Sequence, residues 1–263
     1  MFIKIKFHGK VLKLLLERHS DFSVFYDVFV EQEYPNLATE IKEGYTIIDA
    51  GANIGMFTVA ASILVGNKGH VVSIEPSPEN LKILMKNIEL NNLKNITVID
   101  RALYDKSDER VRFHQEGGLS RIVTDETKAF NDAIDVATIT LDDILSEYEI
   151  SPSILKMDIE GGEKFALLSA KNTMNEIDSF WAEIHDGQSY DALMRFSNQF
   201  SIKKEKIESN RNALSFAIKH PLKILKLEYY NRFSAFKNAV SYMTSAYNSV
   251  GPGGIYSGHR LPH

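Results

Sequence analysis

Charged residues at alternate positions follow two apolar segments, and their types are those of acid–base chemistry. Lys156, Asp158 and Glu160 alternate after one segment, and Glu183 and His185 alternate after the other. Successive side chains of a strand point to opposite faces, so each set shares one side if the first strand extends to residue 160. A histidine that titrates near neutrality is a natural general base, and a carboxylate with a raised pKa is an alternative. We predict that these five residues orient an acceptor hydroxyl and take up its proton.

The same residues admit two other interpretations. Buried parallel strands are usually apolar, and charges inside them need partners. Lys156 would then form a buried ion pair with Glu183, and Glu160 would stabilise the N-terminus of the next helix. Alternatively, the carboxylates and the histidine could hold a divalent cation, although their spacing does not indicate one.

A loop of small residues precedes these segments, in Asp49-Ala50-Gly51-Ala52-Asn53-Ile54-Gly55. It joins an apolar strand to a helical pattern, which is the local geometry that holds a nucleotide-like cofactor. A dinucleotide fold favours Gly-x-Gly-x-x-Gly because a pyrophosphate must approach the backbone closely. Here Asn53 stands in place of the middle glycine and would crowd a pyrophosphate.

The loop therefore favours S-adenosylmethionine (SAM), which carries no phosphate. Asp49 suits the positive amino-acid end of SAM, either directly or through loop amides and water. Glu75 stands 20 positions after Gly55, at the end of the next apolar run, and can accept hydrogen bonds from both ribose hydroxyls. NAD remains the alternative cofactor if this interpretation of the glycines is wrong.

Strands alternate with helices from residue 46 onward, which predicts an α/β fold with a mostly parallel sheet and helices on both faces. Strands are predicted over 46–49, 70–75, 96–99, 154–159, 180–185, 200–207 and 214–219. The last two form an antiparallel hairpin, and alternation over 110–114 and 136–140 predicts a small β insertion. The charged residues then meet at the carboxyl ends of neighbouring strands, where open α/β sheets bind ligands.

The flanking segments differ from this central domain, 44–220. Apolar residues at helical spacing over 8–19 predict a helical N-terminal cap, 1–43. A basic and aromatic extension, 221–263, ends in a Gly/Pro tail that we expect to be partly disordered. Residues 203–237 carry nine Lys/Arg and three Asp/Glu. Peripheral membrane contact through 219–237 is one interpretation of that charge, and a solvated surface is the other.

Composition excludes several classes of site. The chain has 263 residues, a net charge of -5 and no cysteine, which rules out disulfides, thiolate metal sites and a cysteine nucleophile. It has no apolar run of the roughly 18–20 residues that span a bilayer, and its N-terminus lacks the apolar core of a signal peptide. We therefore expect a cytoplasmic protein, and the sequence does not predict its oligomeric state.

Four motifs together resemble the FkbM family of SAM-dependent methyltransferases, from about residue 44 to 219. They are Asp-Ala-Gly-Ala-Asn-Ile-Gly (49–55), Ile-Glu-Pro-Ser-Pro-Glu-Asn (74–80), Leu-Lys-Met-Asp-Ile-Glu-Gly-Gly-Glu (155–163) and Ala-Glu-Ile-His (182–185). The resemblance implies a class I methyltransferase fold with a seven-stranded sheet, SAM as methyl donor, and O-methylation of hydroxyls, often on sugars or natural products.

The resemblance also implies a set of cofactor-binding positions. The loop would form the site for the methionine end of SAM, Glu75 would bind the ribose, and residues just past the third strand would border the adenine. Pro76 and Asp158 complete the set. These positions are Asp49, Gly51, Ala52, Asn53, Gly55, Glu75, Pro76, Asp100, Arg101, Ala102 and Asp158.

Other functions and sites stay open on the sequence. An NAD-dependent oxidoreductase and a non-catalytic membrane- or anion-associated protein are the alternatives to a methyltransferase. A nucleic-acid methyltransferase is disfavoured, because cytosine C5 chemistry needs a cysteine and the Asn/Asp-Pro-Pro-aromatic motif is absent. Five residues of the insertion could form an acceptor loop or a plain surface loop, namely His114, Gly117, Gly118, Ser120 and Arg121. Tyr26, Glu33 and Tyr34 could cover the cofactor or belong to the core.

Overall fold

The computed structural model of the protein describes residues 1–31, 34, 36–115, 121–123, 133–204 and 254–261. In these residues the strands are β1 (Phe2–Phe7), β2 (Lys10–Leu15), β3 (Thr46–Ala50), β4 (His70–Ile74), β5 (Ile96–Ile99), β6 (Ala102–Leu103), β7 (Arg110–His114), β8 (Arg121–Ile122), β9 (Ile134–Ile139), β10 (Ile154–Met157), β11 (Ser179–Ile184), β12 (Phe200–Lys204) and β13 (Gly254–Arg260). The helices are α1 (His19–Tyr26), α2 (Leu37–Glu40), α3 (Met56–Val65), α4 (Pro78–Leu90), α5 (Leu141–Glu147), α6 (Glu163–Leu168), α7 (Lys171–Glu176) and α8 (Gly187–Met194). A π-helical turn, Asp27–Glu31, follows α1.

The N-terminal segment begins with a β-hairpin, so the helix predicted over 8–19 is wrong. β1 and β2 pair antiparallel across His8 and Gly9, both of which have positive φ angles. A two-residue turn of this kind matches the twist of a hairpin. Leu12, Leu14 and Leu16 are buried, which is the period of a strand. The predicted helical cap is therefore wrong for β1 and β2, and helices begin only at His19.

The central sheet has seven strands in the order β12-β13-β11-β10-β3-β4-β5. Five consecutive strands of this order, from β11 to β5, are parallel to one another. β13 is antiparallel to both β11 and β12. This arrangement confirms the predicted fold class, a mostly parallel sheet with one antiparallel strand near its edge. The strand predicted over 154–159 is shorter, because β10 ends at Met157.

The antiparallel position is filled by β13 rather than by a strand over 214–219, which lies outside the described residues. Disorder predicted for the C-terminal tail is therefore wrong for residues 254–260. Gly258 makes this packing possible, because a Cβ there would lie 2.4 Å from a ring carbon of Phe180. The Arg260 guanidinium also donates to the carbonyls of Met174 and Ile177 at the sheet end.

A second sheet of four strands, β6-β9-β7-β8, forms the predicted β insertion. Phe113 and Val136 are buried in its small apolar cluster. The predicted loop residues Gly117, Gly118 and Ser120 lie outside the described residues. The insertion stands beside the end of β5, so it borders the edge where ligands bind in such folds.

Apolar side chains cover both faces of the central sheet. On one face α3 packs with the N-terminal segment, and on the other α5 to α8 pack together. Tyr34 is buried with its ring 5.0 Å from that of Phe57 and 6.1 Å from that of Trp181, so it belongs to the core. No helix in the described ranges combines the length and apolar composition that crossing a bilayer requires.

Candidate active site

A pocket opens at the carboxyl ends of β3 and β4, with about 540 Å³ of space when the adjoining open solvent is included. The residues that line it are Gly51, Asn53, Ile74, Glu75, Pro76, Asn80, Ala102, Leu103, Phe113, Ile122, Asp158, Ile159, Glu160 and Gly162. Six of the predicted cofactor-binding residues are in this wall: Gly51, Asn53, Glu75, Pro76, Ala102 and Asp158.

The glycine loop is shaped by backbone packing. Gly51 has a φ of +76°, and a Cβ at this position would lie 1.7 Å from the Asp158 carbonyl oxygen. Asn53 has a φ of 51°, and its side-chain oxygen accepts a hydrogen bond from the Ile54 amide at 2.8 Å. Asparagine tolerates this left-handed conformation better than most residues. The loop thus needs glycine at one position and favours asparagine at the other, whatever ligand it holds.

Glu75 is almost completely buried at the pocket wall, and the protein satisfies both of its oxygens. Oε2 accepts from the Asn53 amide at 2.8 Å, while Oε1 accepts from the Ser77 amide at 2.9 Å and Asn80 Nδ2 at 3.2 Å. Burial raises the pKa of Glu75, and these hydrogen bonds oppose that shift. The carboxylate is held at a defined position, and one lone-pair site, on Oε2, is left for a ligand's hydroxyl.

Asp49 and Lys156 form a buried ion pair beneath the loop, on neighbouring strands in direct register. Lys156 Nζ lies 3.2 Å from Asp49 Oδ1 and donates to the Gly51 carbonyl at 2.7 Å. Asp49 Oδ2 also accepts from Thr58 Oγ1 at 2.5 Å. The ion pair predicted as a structural alternative therefore exists, but its carboxylate is Asp49 and not Glu183. Asp49 is fully buried and does not line the pocket, so direct contact with a cofactor finds no support, and contact through the loop amides and water stays a prediction.

Five ionisable residues cluster at one side of the pocket, where β10 and β11 end, and two of them, Asp158 and Glu160, belong to its wall. His185 Nδ1 lies 2.9 Å from Glu163 Oε1, and Nε2 lies 3.5 Å from Glu160 Oε2 and 3.7 Å from Glu183 Oε1. Asp158 is on the pocket side, and its buried Oδ1 has no hydrogen-bond partner among the described residues. The predicted cluster is thus assembled except for Lys156, which points to Asp49. Glu163 is the member that the spacing argument missed.

Mutual repulsion and partial burial perturb this cluster. Burial and the charge of Asp158 raise the pKa of Glu160 to about 8 and that of Glu183 to about 7. Burial alone would lower the pKa of His185, but the hydrogen bond and charge of Glu163 outweigh it and raise the value to about 10. The histidine is therefore a cation at neutral pH, while the two glutamates titrate there.

The cluster also offers ligand atoms for a cation. One atom each from Asp158, Glu183 and His185 lie within 4.8 Å of one another. A divalent ion would bind Nε2 of a neutral His185, and Nδ1–H could still donate to Glu163, the usual arrangement of a metal-binding histidine. The described geometry thus permits a metal without requiring one.

Several predicted residues lie away from the pocket. Ala52 is buried behind the loop, and Gly55 begins α3 in a left-handed conformation. Asp100 is exposed, and the Arg101 guanidinium makes two hydrogen bonds of 3.0 and 3.1 Å to Glu147. These four residues do not line the pocket. Ala102 does line the pocket, and its contact with the adenine stays a prediction.

Other residues of the wall were missed. Phe113 and Ile122 belong to the β insertion and line the pocket. Nothing in the sequence around them indicates that the insertion packs against the carboxyl end of the main sheet. Asn80 belongs to the motif 74–80 but was not predicted as a site residue. It lies three residues after Ser77, the N-cap of α4, and this position in the first turn could have placed it near the loop.

Comparison with known proteins identifies the domain. A family model described as the methyltransferase FkbM domain matches residues 49–222, about two thirds of the chain. A solved structure of methyltransferase FkbM from Methylobacillus flagellatus KT is 18% identical, with a TM-score of 0.46, over 73% of this chain and 52% of that chain.

Two curated proteins are similar over a shorter stretch. One is a probable cobalt-precorrin-6B C(15)-methyltransferase (decarboxylating) of Sulfolobus acidocaldarius, 33% identical over 57 residues, or 22% of this chain and 30% of that protein. The other is a protein-L-isoaspartate O-methyltransferase of Methanothrix thermoacetophila, 30% identical over 60 residues, or 23% of this chain and 29% of that protein. The chain thus spans less than a third of the length of these curated relatives.

Proposed function

Since the chain belongs to the FkbM family of SAM-dependent methyltransferases, we propose that it methylates a hydroxyl group on a sugar, glycan or small natural product. The observation that carries this proposal is the cluster beside the pocket, in which Glu160 and Glu183 have raised pKa values. A base that takes a proton from a hydroxyl works best when its pKa lies near the operating pH.

The pocket residues fit SAM, the cofactor of this family. Glu75 would accept from a ribose hydroxyl, and Asp158, with its unpaired buried oxygen, would accept from the ammonium of the methionine end. Ala102, Leu103 and Phe113 supply the apolar wall that an adenine requires. SAM supplies a methyl group already activated by its sulfonium, so the protein's part is to position the acceptor and exclude water.

Glu183 and Glu160 have pKa values better suited than that of His185 for taking the proton from the substrate hydroxyl. A carboxylate with a pKa of about 7 or 8 is partly deprotonated at neutral pH, whereas His185, with a pKa of about 10, already carries its proton. The hydroxyl oxygen would bond to the methyl carbon as the carbon–sulfur bond breaks, and its proton would pass to a glutamate. His185 would then stabilise the carboxylates before the proton arrives.

The alternative functions find less support. The loop lacks the middle glycine that a pyrophosphate needs, and Asn53 occupies that place in a left-handed conformation. A membrane- or anion-associated role would depend on residues 219–237, which lie outside the described residues.

Labelled SAM tests the proposal directly. The full-length protein is incubated with methyl-labelled SAM and fractions of glycans and small molecules, and products are identified by mass spectrometry and NMR. A methoxy carbon on the product supports the proposal, whereas a methylated amine or carbon contradicts O-methylation. Parallel titrations with SAM and NAD should show binding of SAM alone. A parallel assay with EDTA separates metal-dependent from metal-independent transfer.

Glu147→Gln is the matched control for Glu183→Gln. Glu147 pairs with Arg101 on the surface and belongs neither to the pocket wall nor to the ionisable cluster. If both variants transfer label at the parental rate, Glu183 is not the base.

A further inference from the structure

We propose that Arg18, in the N-terminal segment, is a positioning residue for the cofactor site, acting through Asn80 on the carboxylate of Glu75. Arg18 lies outside residues 49–222, the range that matches the family model. The inference depends on SAM binding and not on the identity of the acceptor. It can therefore hold even if the proposed O-methylation is wrong.

The first contact joins Arg18 to the pocket wall. Arg18 Nη2 donates to Asn80 Oδ1 at 2.6 Å, across 62 positions of sequence. Asp21, which is almost fully buried, holds the other side of the guanidinium through a 3.0 Å hydrogen bond from Nε. Asp21 also accepts from the Glu17 and Arg18 amides. The guanidinium is therefore fixed at the start of α1 and presents a donor to Asn80.

The second contact joins Asn80 to Glu75. Asn80 is 1% exposed, and its Nδ2 donates to Glu75 Oε1 at 3.2 Å. An amide side chain can rotate by half a turn with little change in shape, which exchanges its donor and acceptor. Rotation here would turn the Asn80 oxygen toward the carboxylate and its NH₂ group toward a guanidinium. Arg18 can only donate, so it locks Asn80 in the orientation that donates to Glu75.

The N-terminal hairpin is anchored to the same helix. Asn87 of α4 accepts from the Leu15 amide at 2.6 Å and donates to the Leu15 carbonyl at 3.3 Å. Asn91, one turn further, makes the same pair of bonds with Lys13, each of 2.8 Å. Asn87 also donates to the Ile54 carbonyl of the cofactor loop at 2.8 Å. Arg18 follows directly after this anchored strand, so its guanidinium is carried to a defined place.

The test measures affinity for S-adenosylhomocysteine (SAH) by calorimetry and the unfolding temperature without ligand. Arg18→Met keeps the length of the side chain and removes its donors. We expect the dissociation constant of SAH to rise about tenfold, the usual effect of losing a charged hydrogen-bond network. Arg195→Met is the matched control, since Arg195 is exposed at the C-terminal end of α8 and does not line the pocket.

A double variant separates positioning from general stability. In a Glu75→Gln background, Arg18→Met should cost little further affinity, because the carboxylate it positions is absent. Asn80→Asp is the second route: it still accepts from Arg18 but places a carboxylate against Glu75, and we expect a comparable loss of SAH affinity.

Three outcomes would overturn the proposal. They are parental SAH affinity in folded Arg18→Met, an equal loss in Arg195→Met, and full additivity with Glu75→Gln. If Arg18→Met does not fold, parental affinity in Asn80→Asp overturns it instead.

Discussion

Glu163 holds His185 from the core side, with Oε1 2.9 Å from Nδ1. The Glu163 side chain is completely buried and also accepts from the Gly161 amide at 3.0 Å. A buried carboxylate against one ring nitrogen fixes the imidazole's orientation and favours its charged form. The other nitrogen, Nε2, faces Glu160 and Glu183. This contact is therefore the main cause of the raised pKa of His185, whereas burial and Asp158 raise the pKa values of Glu160 and Glu183.

Glu163→Gln should lower the pKa of His185 from its value of about 10. The substitution keeps the side-chain shape but removes the charge that outweighs burial, and we expect a fall of at least about one unit. The measurement is an NMR titration of the histidine ring in parent and variant. An unchanged His185 titration in a folded variant would show that Glu163 does not control the charge.

Stability should fall as the pH rises through the alkaline range. His185 has a pKa raised from 6.5 to about 10, so its contribution is complete below pH 6.5 and is lost as pH approaches 10. The raised pKa values of Glu160 and Glu183 act in the same direction between about pH 4.5 and 8. Thermal unfolding from pH 6 to 10 measures the sum, and Glu163→Gln should flatten the part above pH 8. A profile that is flat in the parent contradicts the assignment.

Methyl transfer should increase as the pH rises through about 7 to 8, since the glutamates must lose their protons to act as bases. Glu183→Gln should lower kcat by about a hundredfold or more, the usual contribution of a general base. The dissociation constant of SAH for this variant should stay within about twofold of the parental value, because Glu183 does not line the pocket. A larger rise would mean that Glu183 contributes a hydrogen bond to cofactor binding. Equal losses of kcat, affinity and unfolding temperature would instead assign Glu183 a structural role.

Gly51→Ala should destabilise the loop and abolish SAM binding, because its Cβ would lie 1.7 Å from the Asp158 carbonyl oxygen. Gly161→Ala is the matched control. Gly161 also has a positive φ, of +91°, but a Cβ there meets no atom within 4 Å. The control should lose about 1–2 kcal/mol of unfolding free energy from backbone strain alone. Chemical denaturation and SAH calorimetry compare the two, and equal effects would disprove the close-packing argument.

Lys156→Met should lower the unfolding free energy by about 3–5 kcal/mol, because Asp49 would stay buried without its cation. Adding Asp49→Asn to this variant should recover part of the loss, since the orphaned charge is then removed. Denaturant unfolding of the two single variants and the double variant provides the measurement. Full additivity of the single losses would mean that the pair is not coupled.

Local sequence was sufficient for the parallel core of the sheet and for the cofactor. β3, β4, β5 and β11 were predicted nearly to their observed ends because buried parallel strands are apolar runs bounded by turns. Glu75 and Gly51 were predicted at the pocket because the strand–loop–helix unit is a local motif. The prediction for the N-terminal segment was wrong for a local reason as well. Its leucines fit helical spacing, but they also alternate in the manner of a strand after the His8-Gly9 turn, and the structure has the strand.

Only the tertiary structure decided which charged residues meet. Alternation along a strand predicted that Lys156 and Asp158 share a side, but β10 ends at Met157 and Lys156 pairs with Asp49 across the sheet. Partner choice depends on strand register and on which carboxylate is nearest within the buried layer. Neither is encoded in the spacing of a single segment. The sequence thus determined which residues can do chemistry. Their charge states and partners depend on long-range packing, as the contacts of Glu163 with His185 and of Arg18 with Asn80 show.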